Sequence, residues 1–492
     1  MPADGQRNEQ APRGACQQQT ALPAAGHGAR RIVVVGHGMV GSRFAEEVVR
    51  RDPGGQRVRV TVVGAEPEPA YNRILMPELL SGRLEAEELR LPGGEAPAVT
   101  VRTATAATAI DARARRVSLS DGDALDYDEL VLATGARATL PPVPGLAQEG
   151  GQPAPGVATL RDMADCRRVL SAARPGAPMV VLGGGLLGLE TARALTERGA
   201  RVSVVESAPW IMRRQLDRAA AQILTELYAR FGIEVYCSRK ANRWIPGTGL
   251  ELDDTSVLAA EAVIVTAGVS PDTELAEKAG VEVADGVLVD DRLSTSRPRI
   301  HAIGDCAQHK DGGAGLVQPG WEQAAVLADL LTGTAPNARY TGVRTVTRLK
   351  ADGIELTTMG EIEEEATEHS VTVNDSRGGR YAKLTLRADR VAGAVLLGFP
   401  QTAPEVCRLF ETGAPVPDDK LVLLLNPPGG SQHIHEDSAD PLVCQCNTVT
   451  RSEIEAAWRD GARTRIAIAE RTRATTGCGG CARDIETLMS TW

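Results

Sequence analysis

The sequence predicts an α/β protein with two Rossmann-like dinucleotide-binding domains, an α+β domain and a small helical domain at the C-terminus. Two segments, about 145 positions apart, each pass from an apolar strand through a glycine-rich turn into a helix and a second strand. That order is typical of the βαβ unit that binds dinucleotides. Strand-like alternation between positions 341 and 412, and four cysteines in the last fifty residues, indicate the other two domains.

The composition limits the classes of function. The chain has 492 residues, of which 42% are hydrophobic and 24% charged, with a net charge of -10. The acidic excess argues against nucleic acid and anionic membranes as partners. We found no apolar stretch long enough to span a bilayer and no signal-peptide core, so we expect a cytoplasmic protein. Nine cysteines in such a chain favour metal or redox chemistry over a disulfide framework.

The first glycine-rich turn has the spacing G-x-G-x-x-G directly after an apolar strand. Its glycines let backbone N–H groups approach a pyrophosphate at the start of a helix. An acidic residue stands 25 positions after the last glycine, where it can accept hydrogen bonds from a ribose. A plain tight turn is the alternative. The residues predicted to bind the first dinucleotide are Gly36, Gly38, Met39, Val40, Gly41 and Glu66.

Two further segments resemble signatures of flavoproteins with two dinucleotide-binding domains. They are LVLATGA, with Thr134 and Gly135, and HAIGDCA, with Asp305. The resemblance implies that the first site binds FAD and that the Asp305 carboxylate holds the ribityl chain. It also implies that the helix near Pro319 to Gln323 points its N-terminus at the isoalloxazine, where its dipole would stabilise the anionic reduced flavin. A simple strand-end turn is the alternative for the Gly-Asp pair.

The second glycine-rich turn predicts a nicotinamide dinucleotide site. A carboxylate at the end of the next strand, 18 positions after the last glycine, binds a ribose 2′-hydroxyl and repels a 2′-phosphate. This favours NADH over NADPH, although Arg213 and Arg214 lie downstream and could reach a phosphate. A merely structural turn is the alternative. The predicted NADH-binding residues are Gly183, Gly185, Leu186, Leu187, Gly188, Glu190, Glu206 and Gly268.

The C-terminal cysteines form a C-x-C pair and a C-x₂-C pair, which can present four thiolates to one centre. The predicted ligands are Cys444, Cys446, Cys478 and Cys481. Glycines around the second pair let backbone N–H groups face the sulfurs. The spacing also fits a structural zinc site or unrelated thiols. The flavin site upstream favours an iron–sulfur cluster, because zinc has no redox use here.

Other cysteines and histidines have plainer interpretations. No cysteine lies beside the first glycine turn or between positions 71 and 82, so neither a flavin-coupled disulfide nor a peroxidase-type thiol is expected. Cys306 is interpreted as a small packing residue. His433 and His435 are interpreted as solvated linker residues rather than a metal pair.

Several segments resemble one family of redox proteins. GHGMVGSRFAEE, AEPEPAYNRILMPELLSG and GWEQAAVLA resemble the flavoprotein half of the assimilatory nitrite reductase large subunit, and also the electron-transfer subunit of assimilatory nitrate reductase. CQCNTV with TGCGGC resembles their bacterioferritin-associated-ferredoxin-like [2Fe–2S] domain. The resemblance implies that Tyr71, Asn72 and Arg73 lie against the flavin, with Arg73 near its pyrophosphate.

The function that the resemblance implies is electron transfer. NADH reduces FAD, and a [2Fe–2S] cluster passes the electrons to a partner, the catalytic subunit of nitrate or nitrite reductase. The cofactors carry the chemistry, so no catalytic side chain is expected. No sirohaem region follows Trp492, so we expect an electron donor and not a nitrite-reducing enzyme. The alternatives are a stand-alone NADH oxidase or NADH:rubredoxin-type reductase, and a binding module with structural zinc.

The expected organisation combines these assignments. A linker of about fifteen residues would span roughly 20–25 Å as a flexible coil, so we expect the cluster domain to swing between flavin and partner. The expected segments are a disordered tail (1–30), an FAD-binding domain in two parts (31–150 and 286–335), an NADH-binding domain (151–285), an α+β interface domain (336–425), a linker (426–441) and a [2Fe–2S] domain (442–492).

Overall fold

The computed structural model describes residues 28–92, 96–310, 315–362, 369–425, 440–444 and 446–492, without the side chain of Arg483. Most of the predicted tail and linker therefore lies outside the described residues, as do His433 and His435. Within the described ranges, no helix combines the length and the apolar run that a membrane span requires. The domain boundaries given above remain a prediction.

Residues 30–138 begin the first Rossmann-like domain. Strand β1 is valine-rich, lies between β2 and β7 and runs parallel to both. Strands β4, β5 and β6 form a separate antiparallel sheet. The elements are β1 (Arg30–Val35), α1 (Met39–Arg51), β2 (Val58–Val63), α2 (Met76–Ser81), β3 (Val99–Arg102), β4 (Ala107–Asp111), β5 (Arg116–Leu119), β6 (Ala124–Asp126), β7 (Glu129–Leu132) and β8 (Ala136–Ala138), with 3₁₀ turns at Arg73–Leu75 and Ala86–Leu89.

Residues 157–278 form the second Rossmann-like domain, whose parallel sheet has the order β12-β11-β10-β16-β9. Strand β17 pairs with β8 and so joins the two domains. The elements are β9 (Val157–Thr159), α3 (Met163–Ala172), β10 (Pro178–Leu182), α4 (Leu186–Glu197), β11 (Arg201–Glu206), α5 (Arg218–Arg230), β12 (Glu234–Cys237), β13 (Ala241–Ile245), β14 (Gly249–Leu252), β15 (Val257–Ala259), β16 (Ala262–Val265), β17 (Val269–Pro271) and α6 (Glu274–Lys278).

The chain then returns to the first domain. Strand β19 pairs with β7 and completes a parallel sheet of order β19-β7-β1-β2-β3. The helix predicted near Pro319 to Gln323 is confirmed. It begins at Val317, because Pro319 is tolerated in a first helical turn, where its missing N–H has no partner to lose. The elements are β18 (Val287–Val289), β19 (Ile300–Ala302), a 3₁₀ turn (Gly304–Cys306), β20 (Ala307–His309) and α7 (Val317–Thr332).

The predicted alternating strands are confirmed as an antiparallel sheet of order β21-β22-β25-β24-β23. Helix α8 packs on one face, and the other face joins the core of the second domain, so β24 is buried on both faces. The elements are β21 (Val346–Ala351), β22 (Ile354–Gly360), β23 (His369–Asp375), β24 (Arg380–Arg387), β25 (Arg390–Leu397), α8 (Ala403–Thr412) and α9 (Lys420–Leu425).

The C-terminal residues form the predicted small helical domain. A capping box between Thr450 and Glu453 starts its first helix, and Ile454, Ile468 and Ile485 form the centre of its core. Its second helix ends at Arg473, whose φ of 65° turns the chain into the loop that carries the second cysteine pair. The elements are β26 (Leu442–Cys444), β27 (Val449–Thr450), α10 (Arg451–Arg459), α11 (Arg465–Thr472) and α12 (Ala482–Thr491).

Candidate functional site

A cleft of about 650 Å³ lies where all four structural units meet. It is lined by both dinucleotide-binding domains, by β21 of the antiparallel sheet and by two of the four C-terminal cysteines. The structure thus brings together residues that are several hundred positions apart. The predicted site residues that line the cleft are Gly36, Gly38, Met39, Val40, Glu66, Arg73, Thr134, Gly135, Asp305, Leu186, Leu187, Glu190, Cys446 and Cys478.

The first glycine turn is held closely against the neighbouring strand. A Cβ on Gly36, whose φ is +116°, would lie 2.1 Å from the carbonyl oxygen of Ala133. A Cβ on Gly41 would lie 2.0 Å from the carbonyl oxygen of Gly36. Gly41 therefore packs beneath the turn and lets α1 start close to the strand, while the turn itself faces the cleft.

The predicted acid of the first site belongs to a polar group of three side chains. The Tyr71 hydroxyl donates to Glu66 Oε2 at 2.5 Å, and Arg73 also donates to the Glu66 carboxylate. Burial raises the pKa of Tyr71, so the phenol stays protonated. Arg73 donates further to the carbonyl of Arg161 at 2.6 Å. Glu66 and Arg73 thus pair with each other at the cleft, and their predicted roles towards the ribose and the pyrophosphate stay predictions.

Asp305 lies in the 3₁₀ turn that follows β19 and faces the same cleft. Its carboxylate accepts hydrogen bonds from Arg161 Nη2 at 2.8 Å and from the Gly315 N–H at 3.1 Å. Sequence reasoning missed Arg161, because it follows a different strand, β9, and no local pattern marks it. Cys306 next to Asp305 is fully buried, and burial raises its pKa, as expected of a packing residue.

The second glycine turn carries its predicted acid directly above it. Glu206 Oε2 accepts the Gly184 N–H at 2.7 Å, and Oε1 accepts the Ala208 N–H at 2.7 Å. A Cβ on Gly188 would lie 1.9 Å from the carbonyl oxygen of Gly183, so this glycine lets the turn close, as Gly41 does. Gly185 and Gly268 have open space where a Cβ would lie, but neither is among the residues that line the cleft.

Arg213, which was considered as a phosphate ligand, lies over the ring of Trp210, at 5.3 Å from its centroid. Its guanidinium is therefore engaged in a contact within the protein.

Glu190, the predicted acid inside helix α4, is only 4% exposed. Its carboxylate accepts the backbone N–H of Lys350 at 2.8 Å and lies 3.6 Å from Lys350 Nζ. Burial raises the pKa of Glu190, and the nearby ammonium of Lys350 opposes that shift. Lys350 comes from β21, so the antiparallel sheet contributes a cation to the cleft that sequence reasoning did not find.

The four predicted cysteine ligands lie together. The sulfurs of Cys444 and Cys446 are 3.6 Å apart. Hydrogen bonds from Cys446 and Cys481 lower the pKa of the Cys444 thiol, and a hydrogen bond from Cys446 lowers that of Cys478. The backbone N–H of Gly480 also bonds to the Cys478 sulfur, as the glycine spacing had suggested.

Hydrogen bonds link the four thiols to one another. Four cysteine thiolates are the ligand set of an iron–sulfur cluster, so these residues fit that group. Among the described residues, no three metal-ligating side chains are arranged as the shell of a single ion. Cys444 and Cys481 are buried, whereas Cys446 and Cys478 are partly exposed and face the cleft. A cluster held here would therefore have one side towards the flavin site.

In the structure, partly buried polar contacts hold the cysteine domain against the first domain; the swing expected from the linker stays a prediction. Arg473 contacts Glu46 at 2.9 Å and Glu47 at 2.8 Å, both on helix α1. Arg43 of the same helix donates to Asn447 Oδ1 at 3.1 Å. These contacts explain why two cysteines of the last domain line a cleft built mainly by the first two.

Three family models match successive parts of the chain. The pyridine nucleotide-disulphide oxidoreductase model matches residues 30–326. The C-terminal domain of rubredoxin NAD+ reductase matches residues 346–414, and the BFD-like [2Fe-2S] binding domain matches residues 442–491. The first match alone covers more than half of the chain.

Curated relatives are similar over almost the whole chain. It is 32% identical over 473 residues to the nitrite reductase [NAD(P)H] of Bacillus subtilis strain 168, covering 94% of this chain and 58% of the relative. It is 31% identical over 475 residues to the assimilatory nitrate reductase electron transfer subunit of the same organism, covering 94% of this chain and 59% of the relative. The chain thus spans less than two thirds of these relatives' length.

The fold agrees with solved structures. The covalent putidaredoxin reductase–putidaredoxin complex matches with a TM-score of 0.71 at 24% identity, covering 81% of this chain and 96% of that one. This likeness concerns the fold. The family models give the chain FAD, a nicotinamide dinucleotide and a [2Fe–2S] cluster as cofactors. The chain therefore belongs to the pyridine nucleotide-disulphide oxidoreductase family, as an NAD(P)H-dependent flavoprotein with a C-terminal [2Fe–2S] domain.

Proposed function

We propose that this protein takes electrons from NADH and passes them through FAD and the [2Fe–2S] cluster to a partner reductase. The proposed partner is the catalytic subunit of assimilatory nitrate or nitrite reductase. One observation carries the proposal: Cys446 and Cys478 line the same cleft as Gly36 of the first turn and Leu186 of the second. Hydride donor, flavin and cluster could then be adjacent without any large rearrangement.

The proposed ligands are those predicted from the sequence. Gly36, Gly38, Met39, Val40, Gly41, Glu66, Arg73, Thr134, Gly135 and Asp305 serve FAD. Gly183, Gly185, Leu186, Leu187, Gly188, Glu190, Glu206 and Gly268 serve NADH. Cys444, Cys446, Cys478 and Cys481 hold the cluster.

The protein side chains orient the cofactors and exclude water. When bound, FAD and the cluster would supply the conversion of the two-electron hydride of NADH into single-electron steps. Backbone N–H groups at the starts of α1 and α4 would bind the pyrophosphates. Arg73 and Lys350 supply positive charge at the cleft, where reduced cofactors carry negative charge.

The preference for NADH rests on Glu206. Its carboxylate is fixed over the second glycine turn by the N–H groups of Gly184 and Ala208. A carboxylate fixed there can accept a hydrogen bond from the ribose 2′-hydroxyl, and its negative charge would repel a 2′-phosphate. We propose NADH as the physiological donor on this ground.

The proposed partner rests on the two Bacillus subtilis relatives, one of which is called an assimilatory nitrate reductase electron transfer subunit. Nitrate assimilation would place the protein in the cytoplasm, which we also propose. A stand-alone NADH:rubredoxin-type reductase is the second candidate. It is favoured by the match of residues 346–414 to the rubredoxin NAD+ reductase C-terminal domain.

Anaerobic reduction by NADH tests the proposal. Flavin and cluster absorption are followed together, and a molybdenum-containing nitrate reductase with nitrate is then added. We expect both cofactors to be reduced and then reoxidised only when reductase and nitrate are both present. A cluster that stays oxidised while the flavin bleaches would contradict the electron relay. Rapid turnover with rubredoxin or oxygen, and none with the nitrate reductase, would favour the second candidate.

A further inference from the structure

The loop that carries Cys478 rests on a buried asparagine of the first domain. Asn72 is 2% exposed, and its Nδ2 donates to the carbonyl oxygens of Thr476 and Gly477 at 2.8 and 2.7 Å. Its Oδ1 accepts the backbone N–H of Ile74 at 3.0 Å. The orientation of the amide is therefore fixed, because a flipped amide would lose all three hydrogen bonds.

Close packing around this amide leaves the loop little freedom. A Cβ on Gly477 would lie 2.5 Å from the Cys446 sulfur and 3.0 Å from the ring of Trp321. A Cβ on Gly479 would lie 2.9 Å from Leu75 Cδ2, in the same turn as Asn72. Glycines thus allow the loop to lie directly on the first domain, and the Asn72 amide sets where it lies.

Asn72 lies between the proposed flavin site and the proposed cluster site. Its chain neighbours Tyr71 and Arg73 line the cleft, and Cys446 and Cys478 line it from the cluster domain. The resemblance implied that Asn72 itself lies against the flavin, but its amide turns to the cluster loop. One short segment therefore contacts the flavin site through two side chains and the cluster loop through the third.

We propose that Asn72 is a positioning residue for electron transfer, which holds the Cys478 loop at the separation where the cluster is reduced. This inference rests on the proposed function. In that step one electron leaves reduced FAD and one ferric iron becomes ferrous, and no bond of the protein forms or breaks. The rate of electron transfer falls as the separation between donor and acceptor grows, so the position of the loop affects the rate of cluster reduction.

Two variants of the full-length protein test this role. Asn72→Asp keeps the acceptor for Ile74 but presents a carboxylate to the two loop carbonyls instead of a donor. Asn72→Ser removes the donor pair with a smaller, neutral side chain. Asn242→Asp is the matched control, because Asn242 is exposed on β13 and its amide donates only to Glu251 among the described contacts.

Two readouts are needed. Anaerobic stopped-flow mixing with NADH follows flavin reduction and cluster reduction separately. Hydrogen exchange of backbone amides at residues 473–482 reports whether the loop is held.

We expect cluster reduction to slow several-fold in Asn72→Asp and less in Asn72→Ser, because the released loop lets the cluster move away from the flavin. Flavin reduction should keep its wild-type rate, loop exchange should become faster, and the control should change neither. Wild-type cluster reduction in both variants, or slower reduction with unchanged exchange, would overturn the positioning role. If the wild-type cluster itself stays oxidised, the proposed function fails, and loop exchange still decides whether Asn72 holds the loop.

Discussion

Arg473 of the cluster domain contacts Glu47 of helix α1 at 2.8 Å, across 426 positions of the chain. Glu47 is 1% exposed, so the ion pair is largely shielded from water. Arg473 also has a φ of 65°, which places its side chain at the point where α11 turns into the cysteine loop. This contact, with that of Asn72, fixes the cluster domain to the flavin cleft.

Replacing Arg473 should weaken the attachment of the cluster domain. Arg473→Gln removes a charged partner from the buried Glu47 and the half-buried Glu46, and we expect a loss of about 2 kcal/mol in the free energy of unfolding. Chemical denaturation followed by cluster absorbance measures it. Arg459→Gln, at the exposed end of α10, is the control. A variant as stable as the control would show that the ion pair contributes nothing.

The stability of the folded protein should depend on pH through Glu46, which also contacts Arg473. Burial raises the pKa of Glu46 to about 7. The positive charges of Arg473 and Arg43 lower this pKa, and the negative charge of Glu47 raises it further. A carboxyl with a raised pKa stabilises the folded state below its ordinary pKa of 4.5, and this stability is lost as pH rises towards 7. We expect Glu46→Gln to flatten the fall in stability across this range. Denaturation curves at several pH values test this, and an unchanged slope would contradict it.

Glu206 should decide the nucleotide preference. In Glu206→Gln the fixed negative charge over the second turn is lost, so NADH should bind about tenfold more weakly and NADPH more tightly. The measurement is kcat/KM for each nucleotide with a dye that accepts electrons directly from the flavin. Glu234→Gln, on the exposed start of β12, is the control. The assignment is wrong if the ratio of the two constants stays at the wild-type value.

Removing a cluster ligand should separate flavin chemistry from cluster chemistry. We expect Cys478→Ser to lose its bound iron while it keeps FAD and NADH-dependent dye reduction, because the serine hydroxyl is a poor ligand for iron. Cys237→Ser is the control, since that half-buried thiol lies on β12, away from the four ligands. Iron analysis and absorption spectra measure the outcome. Full iron content in Cys478→Ser would exclude Cys478 as a ligand.

Much of the fold could be predicted, because its signals are local. The apolar strand before Gly36, the glycine spacing and Glu66 all lie within one βαβ unit, and the second unit repeats the pattern up to Glu206. The ends of helices were harder to predict. Helix α7 begins at Val317, two residues before Pro319, and a proline gives no sequence signal that the helix has already started.

The site was only partly predictable. Arg161 meets Asp305 across 144 positions, and Lys350 meets Glu190 across 160. Such pairs form only when separate sheets pack together, and neither residue belongs to a local motif. The sequence also gave no sign that Asn72 supports the cluster loop, because its motif pointed to the flavin.

By itself the sequence determined which groups this protein can bind, since glycine turns, strand-end acids and paired cysteines are short-range patterns with fixed chemistry. Only the tertiary structure decided how those groups are arranged relative to one another. The contacts of Asn72 and Arg473 cross more than 400 positions, and such long-range packing leaves no period or spacing in the chain.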